Sequence, residues 1–168
     1  MITFQIDQSR FIYRVAGVCL HEDHVLLQAA EDSSFWFLPG GRVEMLESSE
    51  AALKREMREE LRLENDVQVL RLLWVVENFF RFEKTAQHEL GFYYQIALAD
   101  HSALYDKTRA HTAIEDTGAF AAEPLAFTLR WFPLAALDDI SLYPLFLRTS
   151  LRNLPTSVEH IIHTDPDE

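Results

Sequence analysis

Cysteine is nearly absent from this chain, and so are segments that would export it or anchor it in a membrane. Cys19 is the single cysteine among 168 residues, so no intrachain disulfide can form, and we predict a reducing, cytoplasmic location. Cys19 itself lies in an apolar run and is predicted to be a core residue. No apolar run approaches the roughly 20 residues that cross a bilayer. The first residues, MITFQIDQSRF, lack the basic flank and apolar core of a signal peptide.

Positive charge is also scarce. The chain carries 15 Lys and Arg against 27 Asp and Glu, a formal net charge of −12. Binding to nucleic-acid polymer relies on basic side chains that neutralise phosphates, so this charge argues against it. A small phosphorylated ligand is compatible with the charge if a cation lies between carboxylates and phosphates. The predicted partner is therefore a small molecule, not a nucleic acid or a membrane, and a homodimer is left open.

What the sequence does contain predicts one α+β domain with a mixed sheet. With 48% hydrophobic residues, a chain of this length can bury a substantial core. We assign residues 1–154 to the domain and residues 155–168 to a polar, partly disordered C-terminal tail. Segments rich in β-formers predict strands at Phe11–Leu20, Val25–Ala30, Phe35–Gly41, Val67–Phe82, His88–Leu98 and Phe127–Leu134. Helices are predicted from Ser48 or Ser49 to Leu61 and over Leu142–Leu154, with a long loop over Asp100–Pro124.

The first predicted helix has an unfavourable charge pattern. Glu56 lies three and four residues from Glu59 and Glu60, spacings at which like charges destabilise a helix by roughly 0.2–0.5 kcal/mol per pair. On a helical wheel these acids converge beside the apolar stripe that contains Leu53 and Met57. Carboxylates this close together stay ionised when a divalent cation lies between them. Oxygen-only ligands suit Mg²⁺ or Mn²⁺.

A glycine pair and further acids precede this helix. Gly40 and Gly41 allow the backbone to approach a ligand closely, and Glu44 and Glu47 lie in the loop that leads into the helix. The alternative interpretation is a solvated, charged helix without a ligand. That alternative predicts acids interleaved with bases, whereas here the acids cluster with one another.

The stretch from Gly41 to Leu63 resembles the Nudix box. The pattern of the box is Gly, five residues, Glu, seven residues, Arg-Glu, an apolar residue, any residue, Glu-Glu, any residue, Gly and an apolar residue. The residues that fill it at the correct spacing are Gly41, Glu47, Arg55, Glu56, Met57, Glu59, Glu60 and Leu63. Arg62 replaces the final glycine, and Leu46 replaces a glycine that many members carry before the first Glu. The chain is thus similar to the Nudix hydrolase family over roughly Phe11–Leu154.

The resemblance implies a fold and an activity. The fold is a Nudix-like α/β/α sandwich with a mixed β-sheet, in which the box forms a loop-helix-loop. The activity is metal-dependent cleavage of the pyrophosphate bond of a nucleoside diphosphate linked to another moiety, with Mg²⁺ or Mn²⁺ as cofactor. Nucleoside triphosphates, oxidised nucleotides and nucleotide sugars are all left open as substrates. The alternative is a non-catalytic ligand-binding or regulatory module on the same fold, although such modules usually lose box acids that this chain keeps.

The resemblance also implies roles for single residues. The implied catalytic residues are Glu56, Arg55 and Glu47: Glu56 orients or deprotonates the attacking water, Arg55 pairs with an acid of the site, and Glu47 completes the network. The implied metal ligands are Glu56, Glu59, Glu60 and Gly41.

Weaker candidates lie outside this set. The possible substrate-binding residues are Glu44, Trp36 and Glu115, although a solvated loop position is the favoured interpretation for Glu115. His88 and Glu89 start a strand beside a turn, and we expect a surface or hairpin-closing role for both rather than a catalytic one. Aromatic residues in strands more often pack in the core than on a ligand. We therefore expect only one or two to stack on a base among Phe35, Trp36, Phe37, Trp74, Phe79, Phe80, Tyr93 and Tyr94.

Overall fold

The structure is a computed structural model that describes residues 1–31, 33–61, 67–115 and 125–166. The side chains at positions 60, 61, 113–115 and 125 lie outside this description. The strands are β1 (Thr3–Ile6), β2 (Ser9–His21), β3 (His24–Ala30), β4 (Val67–Phe82), β5 (Thr85–Leu98), β6 (His111–Glu115), β7 (Leu125–Pro133) and β8 (Glu159–Thr164). The helices are α1 (Ser49–Leu61) and α2 (Leu147–Ser150), with 3₁₀ helices at Ala103–Tyr105 and Leu134–Asp139. In the described ranges, no helix combines the length and apolar composition that crossing a bilayer requires.

The strands form a mixed sheet in the order β6-β7-β3-β2-β5-β4-β8, with β1 paired to β2. The β2–β5 and β4–β8 pairs are parallel, and the other pairs are antiparallel. The prediction of an α+β fold with a mixed sheet is confirmed. The β2–β3 and β4–β5 hairpins also lie where the sequence predicts them, and the second turns at Glu83 and Lys84, which both have positive φ.

A segment of chain lies between β2 and β3. These strands pair with each other only next to their turn. Farther along, Phe37 exchanges two backbone hydrogen bonds with Gln28 of β3, at 2.8 and 2.9 Å. The carbonyls of Pro39 and Gly41 accept hydrogen bonds from amides of β2, at 2.8 and 2.9 Å. The segment from Phe37 to Gly41 is therefore held between the two strands, with bonds to β3 at Phe37 and to β2 at Pro39 and Gly41.

Two apolar clusters lie on the opposite faces of the sheet, because neighbouring side chains of a strand point to opposite sides. On one face, Leu53 and Met57 of α1 pack in a cluster that includes Val15 and Cys19. The cluster on the other face contains side chains of the 3₁₀ helix Leu134–Asp139 and of α2. Helical segments on both faces form the predicted sandwich. Cys19 is buried, as predicted, and burial raises the pKa of its thiol to about 12.

Helix α1 has the bounds that the sequence predicts. Ser48 caps it, because its Oγ accepts a hydrogen bond from the Ala51 amide at 3.2 Å. Leu53 and Met57 are fully buried against the sheet. Glu56 lies at the edge of this buried stripe and is itself only 5% exposed. The helix thus carries one carboxylate into the border of the core.

Five parts of the fold differ from the sequence prediction. The strand expected over Phe35–Gly41 is limited to isolated bridges at Trp36 and Phe37. The tail expected to be partly disordered contains β8, which pairs with β4 at an edge of the sheet. The long loop expected over Asp100–Pro124 contains a 3₁₀ turn and β6, while residues 116–124 lie outside the description. The closing helix expected over Leu142–Leu154 is limited to Leu147–Ser150. Strand β1 was not predicted. Short or polar edge strands show a weak sequence pattern, because pairing with a distant strand stabilises them.

Candidate active site

Gly41 and Glu56 lie against each other at the centre of the site. Gly41 belongs to the segment between β2 and β3, and Glu56 projects from α1 toward it. A Cβ built on Gly41 would overlap the Glu56 carboxylate, so glycine is required for this approach. The preceding Gly40 has φ of +147°, and a side chain there would overlap the Val15 carbonyl. The two glycines are therefore needed for different reasons.

Arg55 binds the carboxylates of the site together. Its Nε and Nη2 donate to the two carboxylate oxygens of Glu47, each at 3.0 Å. Its Nη1 donates to Glu56 at 2.8 Å and to Glu59 at 3.1 Å. Nη2 also donates to the Arg42 carbonyl at 3.0 Å. Because the guanidinium lies between Glu56 and Glu59, it offsets the repulsion that their spacing on the helix would otherwise cause.

The charges of this network stabilise one another. The hydrogen bond from Arg55 holds the pKa of the Glu47 carboxyl below its usual range. Burial alone would lower the pKa of Arg55, but its bonds to Glu47 and Glu56 outweigh burial and raise that pKa. The Arg55–Glu47 pair is therefore fully ionised at neutral pH.

The ligand types at this site suit a hard divalent cation. Mg²⁺ and Mn²⁺ prefer carboxylate and carbonyl oxygens, which Glu56, Glu59 and the Gly41 backbone supply. A carboxylate offers about four acceptor positions, so Glu56 can keep its bond to Arg55 and still bind a cation. In the described residues, no three His, Cys, Asp or Glu side chains converge into a complete metal site. The Glu60 side chain, the remaining predicted ligand, is outside the description.

The other predicted residues are more scattered. The Glu59 side chain is 52% exposed, and its contact with Arg55 is at the rim of the network. Glu44 is exposed, and its amide donates to Glu47 at 3.1 Å. Trp36 packs against Phe132, with ring centroids 4.6 Å apart, in the core cluster that includes α2. Glu115 belongs to β6, but its side chain is not described, and Arg62 lies wholly outside the description.

Leu46 adopts the conformation expected at a glycine position. Its φ is +63°, in the left-handed region, and its side chain is fully exposed. The departure from the box at this position therefore retains the loop conformation and places an apolar side chain in solvent.

A cavity of about 880 Å³ has Arg42 in its wall, and the Arg42 carbonyl accepts from Arg55 of this network. Its size is typical of small-molecule sites. Arg14 also lines it, with its guanidinium carbon 5.4 Å from the centre of the Phe37 ring. The aromatic residues in the wall are Phe35, Phe37, Phe80, Phe82, Tyr93, Phe127 and Tyr143. Four of these, Phe35, Phe37, Phe80 and Tyr93, belong to the eight candidates named from the sequence. That one or two of the eight stack on a base stays a prediction.

Polar side chains are buried in the same wall. Asn78, Glu89 and Asp165 line the cavity and are 2%, 7% and 5% exposed, respectively. Burial raises the pKa of the Glu89 carboxyl, and a hydrogen bond links it to Tyr93, whose pKa burial also raises. The expectation that Glu89 has a surface role is wrong, whereas His88 is exposed as expected.

Sequence reasoning missed Asn78 and Asp165 as well as the burial of Glu89. A signal was present for Asn78, because it is a polar residue within the otherwise apolar and aromatic run VVENFF. Asp165 carries no such signal, since it follows β8 in a segment that the sequence predicts to be a polar tail.

Comparisons with known proteins identify the family of this chain. The sequence model of the NUDIX domain matches residues 12–150. Since this is most of the chain, the protein belongs to the NUDIX hydrolase family, and the membership predicted from the sequence is confirmed. No curated protein matches the chain.

Several solved structures share the fold at low sequence identity. A UDP-X diphosphatase has 18% identity and a TM-score of 0.58, with 89% of this chain and 66% of that chain covered. An ADP-ribose pyrophosphatase from Streptococcus suis 89-1591 has 18% identity and a TM-score of 0.53, with 90% and 98% covered. A mutator MutT protein from Bacillus halodurans has 15% identity and a TM-score of 0.55, with 92% and 91% covered. This chain thus spans slightly less than two thirds of the diphosphatase chain, and the likeness concerns the fold.

Proposed function

We propose that this protein is a divalent-metal-dependent hydrolase that cleaves the pyrophosphate bond of a nucleoside diphosphate linked to another moiety. One observation carries the proposal: Arg55 binds Glu47, Glu56 and Glu59 together on a helix edge. The Gly41 backbone adjoins Glu56, and Arg42, whose carbonyl accepts from Arg55, lines a ligand-sized cavity. Nucleoside triphosphates, oxidised nucleotides and nucleotide sugars belong to this substrate class.

Each residue of the network has a role in this proposal. The residues that would hold Mg²⁺ or Mn²⁺ are Glu56, Glu59, Glu60 and Gly41. When bound, such an ion lowers the pKa of water and neutralises charge on the diphosphate. Phosphoryl transfer depends on positioning and charge neutralisation rather than on a covalent nucleophile. Arg55 positions the carboxylates, Glu47 holds Arg55 in place, and Glu56 is the candidate to accept the proton of the attacking water.

The cavity is the proposed place of the nucleoside part of the substrate. Arg42 connects the two regions, because its carbonyl accepts from Arg55 while the residue itself lines the cavity. Arg14 and Arg42 place positive charge where an otherwise acidic protein would meet phosphate. Aromatic walls suit a flat heterocycle. A substrate that reaches from the cavity to Glu56 would present its diphosphate to the box.

The proposal is tested with a substrate panel and metal removal. Purified protein is incubated with nucleoside triphosphates, oxidised nucleotides and nucleotide sugars in Mg²⁺, in Mn²⁺ or in EDTA, and the products are separated by chromatography. We expect cleavage of at least one compound in the presence of metal and none in EDTA. Undiminished cleavage in EDTA would contradict the metal requirement. Binding of these compounds without cleavage under any condition would favour the non-catalytic module instead.

A further inference from the structure

Asn78 and Glu89 are buried side by side in the wall of the cavity. They are directly opposed in the antiparallel register of β4 and β5. Side chains of opposed residues project from the same side of the sheet, with Cβ atoms about 4.5–5.5 Å apart. Both residues line the cavity and are nearly inaccessible to solvent. A pair of polar groups therefore interrupts a mainly apolar wall.

Asp165 determines the orientation of the Asn78 amide. Asn78 Nδ2 donates to Asp165 Oδ2 at 3.3 Å. An ionised carboxylate only accepts hydrogen bonds, so the reversed amide would bring two acceptor oxygens together. The amide oxygen therefore points away from Asp165, and it has no hydrogen-bond partner in the described part of the chain. A buried acceptor without a donor is an exception that requires a physical reason, and a bound ligand that donates to it supplies one.

Asp165, which directly follows β8, is itself held in place by several hydrogen bonds. Its amide donates to the Phe79 carbonyl at 3.0 Å, which continues the contact between β8 and β4. Its Oδ1 accepts from the Leu145 amide at 2.9 Å and lies 3.0 Å from His163 Nε2. These contacts join Asp165 to β4, to the residues before α2 and to His163 of β8, and Asp165 itself lies beyond residues 12–150, which the NUDIX model matches. The residue that orients Asn78 thus comes from outside the matched region.

The wall of the cavity indicates which donor meets the Asn78 oxygen. A sugar hydroxyl and an N–H group of a heterocycle can both donate. Among the residues that the structure describes, seven aromatic side chains line the cavity, and flat, nitrogen-containing rings pack against such surfaces. Glu89 adds a carboxyl beside Asn78, and its protonated form, which burial favours, offers both a donor and an acceptor. A heterocycle with adjacent hydrogen-bonding atoms on one edge matches this pair.

We propose that Asn78 is a specificity-determining residue whose side-chain oxygen accepts a hydrogen bond from an N–H group of a nucleobase in the cavity. Asp165 is the positioning residue that holds the amide in this orientation, and Glu89 contacts the same edge of the base. The inference rests on the proposed function for the identity of the ligand as a nucleotide. It adds which protein atoms form hydrogen bonds with the base.

The test measures nucleoside binding rather than turnover. Adenosine, guanosine, cytidine and uridine are titrated in EDTA into the full chain, and chemical shifts of the protein are followed by NMR. The nucleoside that binds most tightly is then compared with analogues in which each base N–H is removed or methylated. We expect one such analogue to bind about three- to tenfold more weakly, the value of one hydrogen bond. Equal binding by all analogues, or no binding of any nucleoside, would overturn the proposal.

Variants of the protein test whether the Asn78 side-chain oxygen is the hydrogen-bond acceptor. In Asn78→Leu, which keeps the volume and removes the oxygen, the nucleoside and its analogue should bind equally. In Asp165→Ala the same discrimination should be lost although Asn78 is present. Glu77→Gln and His160→Ala are matched controls, because these residues pair with each other on β4 and β8, and both should keep wild-type discrimination. Discrimination that persists in Asn78→Leu would assign the contact to another residue and overturn the proposal.

The result of this binding test can be distinguished from the result of the hydrolase test. Nucleosides lack the diphosphate and EDTA removes the metal, so a protein without hydrolase activity still gives a full answer on Asn78. Conversely, a hydrolase that does not discriminate N–H groups would keep the proposed function and refute this inference. Because each variant is judged by a ratio of two affinities in the same sample, partial unfolding does not alter the result. The comparison of analogues on the wild-type protein needs no variant at all.

Discussion

Arg55 and Glu47 form a two-bond ion pair, with Nε to Oε1 and Nη2 to Oε2 both at 3.0 Å. Glu47 comes from the loop before α1 and Arg55 from the middle of the helix, so the pair ties the two halves of the box together. Arg55 uses its remaining Nη1 to contact Glu56 and Glu59. The planar guanidinium is therefore the part that determines where the carboxylates of the site lie.

Arg55→Lys should damage the site although it conserves charge. Lysine cannot form the parallel pair of bonds to Glu47 while also reaching Glu56, because it presents a single ammonium group. Loss of a residue that orients metal ligands typically costs about 10- to 100-fold in activity or metal affinity. We expect a loss of that order in the steady-state kcat/KM for the best substrate of the panel. Arg58→Lys, at an exposed position on the same helix, is the control, and equal activity of both variants would contradict the role of Arg55.

Glu47→Gln should reduce stability at neutral pH and not in acid. The folded pKa of Glu47 is lowered by Arg55, so the pair stabilises the fold above the ordinary glutamate pKa of about 4.3. This stabilisation is lost as the pH falls through the lowered pKa. Urea unfolding at pH 7 should show a loss of about 1 kcal/mol, which shrinks as the pH falls below about 4.3 and disappears once the pH is below the lowered folded pKa. Glu50→Gln, which removes an exposed pair with Lys54, should change little, and a pH-independent loss in Glu47→Gln would refute the ion-pair explanation.

Glu89→Gln should show the opposite pH dependence. Burial raises the folded pKa of Glu89, so the folded state binds its proton more tightly than the unfolded state does. The stability that this carboxyl contributes therefore falls as the pH rises above the ordinary glutamate pKa of about 4.3 and through the raised folded pKa. The Gln variant has no proton to lose and should be more stable than wild type at neutral pH. The difference should vanish toward pH 4, and a variant that is less stable at neutral pH would contradict a raised pKa of Glu89.

Gly41→Ala should move the Glu56 carboxylate. The added Cβ would overlap it, so we expect activity to fall by about 10- to 100-fold. Gly17→Ala is a matched control, because its Cβ would meet Ile96 Cδ1 at 2.7 Å, the flexible end of an apolar side chain rather than a carboxylate. Both variants should lose some thermal stability, and only Gly41→Ala should lose activity. Similar activities in the two variants would show that the approach of Gly41 to Glu56 has no part in the reaction.

The box was predictable from the sequence because its determinants are local. The Ser48 cap, the buried positions of Leu53 and Met57, and the spacing of the acids all lie within one helix and the residues before it. The role of Arg55 as a link between carboxylates followed from the resemblance to the Nudix box and not from helix periodicity.

The wall of the cavity was not predictable in the same way. Whether Glu89 is buried depends on which face of β5 is covered, and local alternation does not determine this. β8 has a largely polar, exposed pattern, and it is held by contacts to β4 such as that between His160 and Glu77, 83 residues apart in sequence. A strand that is stabilised by such distant pairing carries little signal of its own.

The rate of Glu56→Gln with metal tests the central claim most directly. Glu56 is the buried carboxylate that contacts both Arg55 and the Gly41 backbone, and Gln preserves its shape while removing its charge. In a titration with Mg²⁺, we predict a rate on the order of a hundredfold or more below wild type, with a thermal unfolding temperature close to that of wild type. Glu50→Gln should retain the wild-type rate. A folded Glu56→Gln protein that hydrolyses the substrate at the wild-type rate with the wild-type Mg²⁺ dependence would contradict the account.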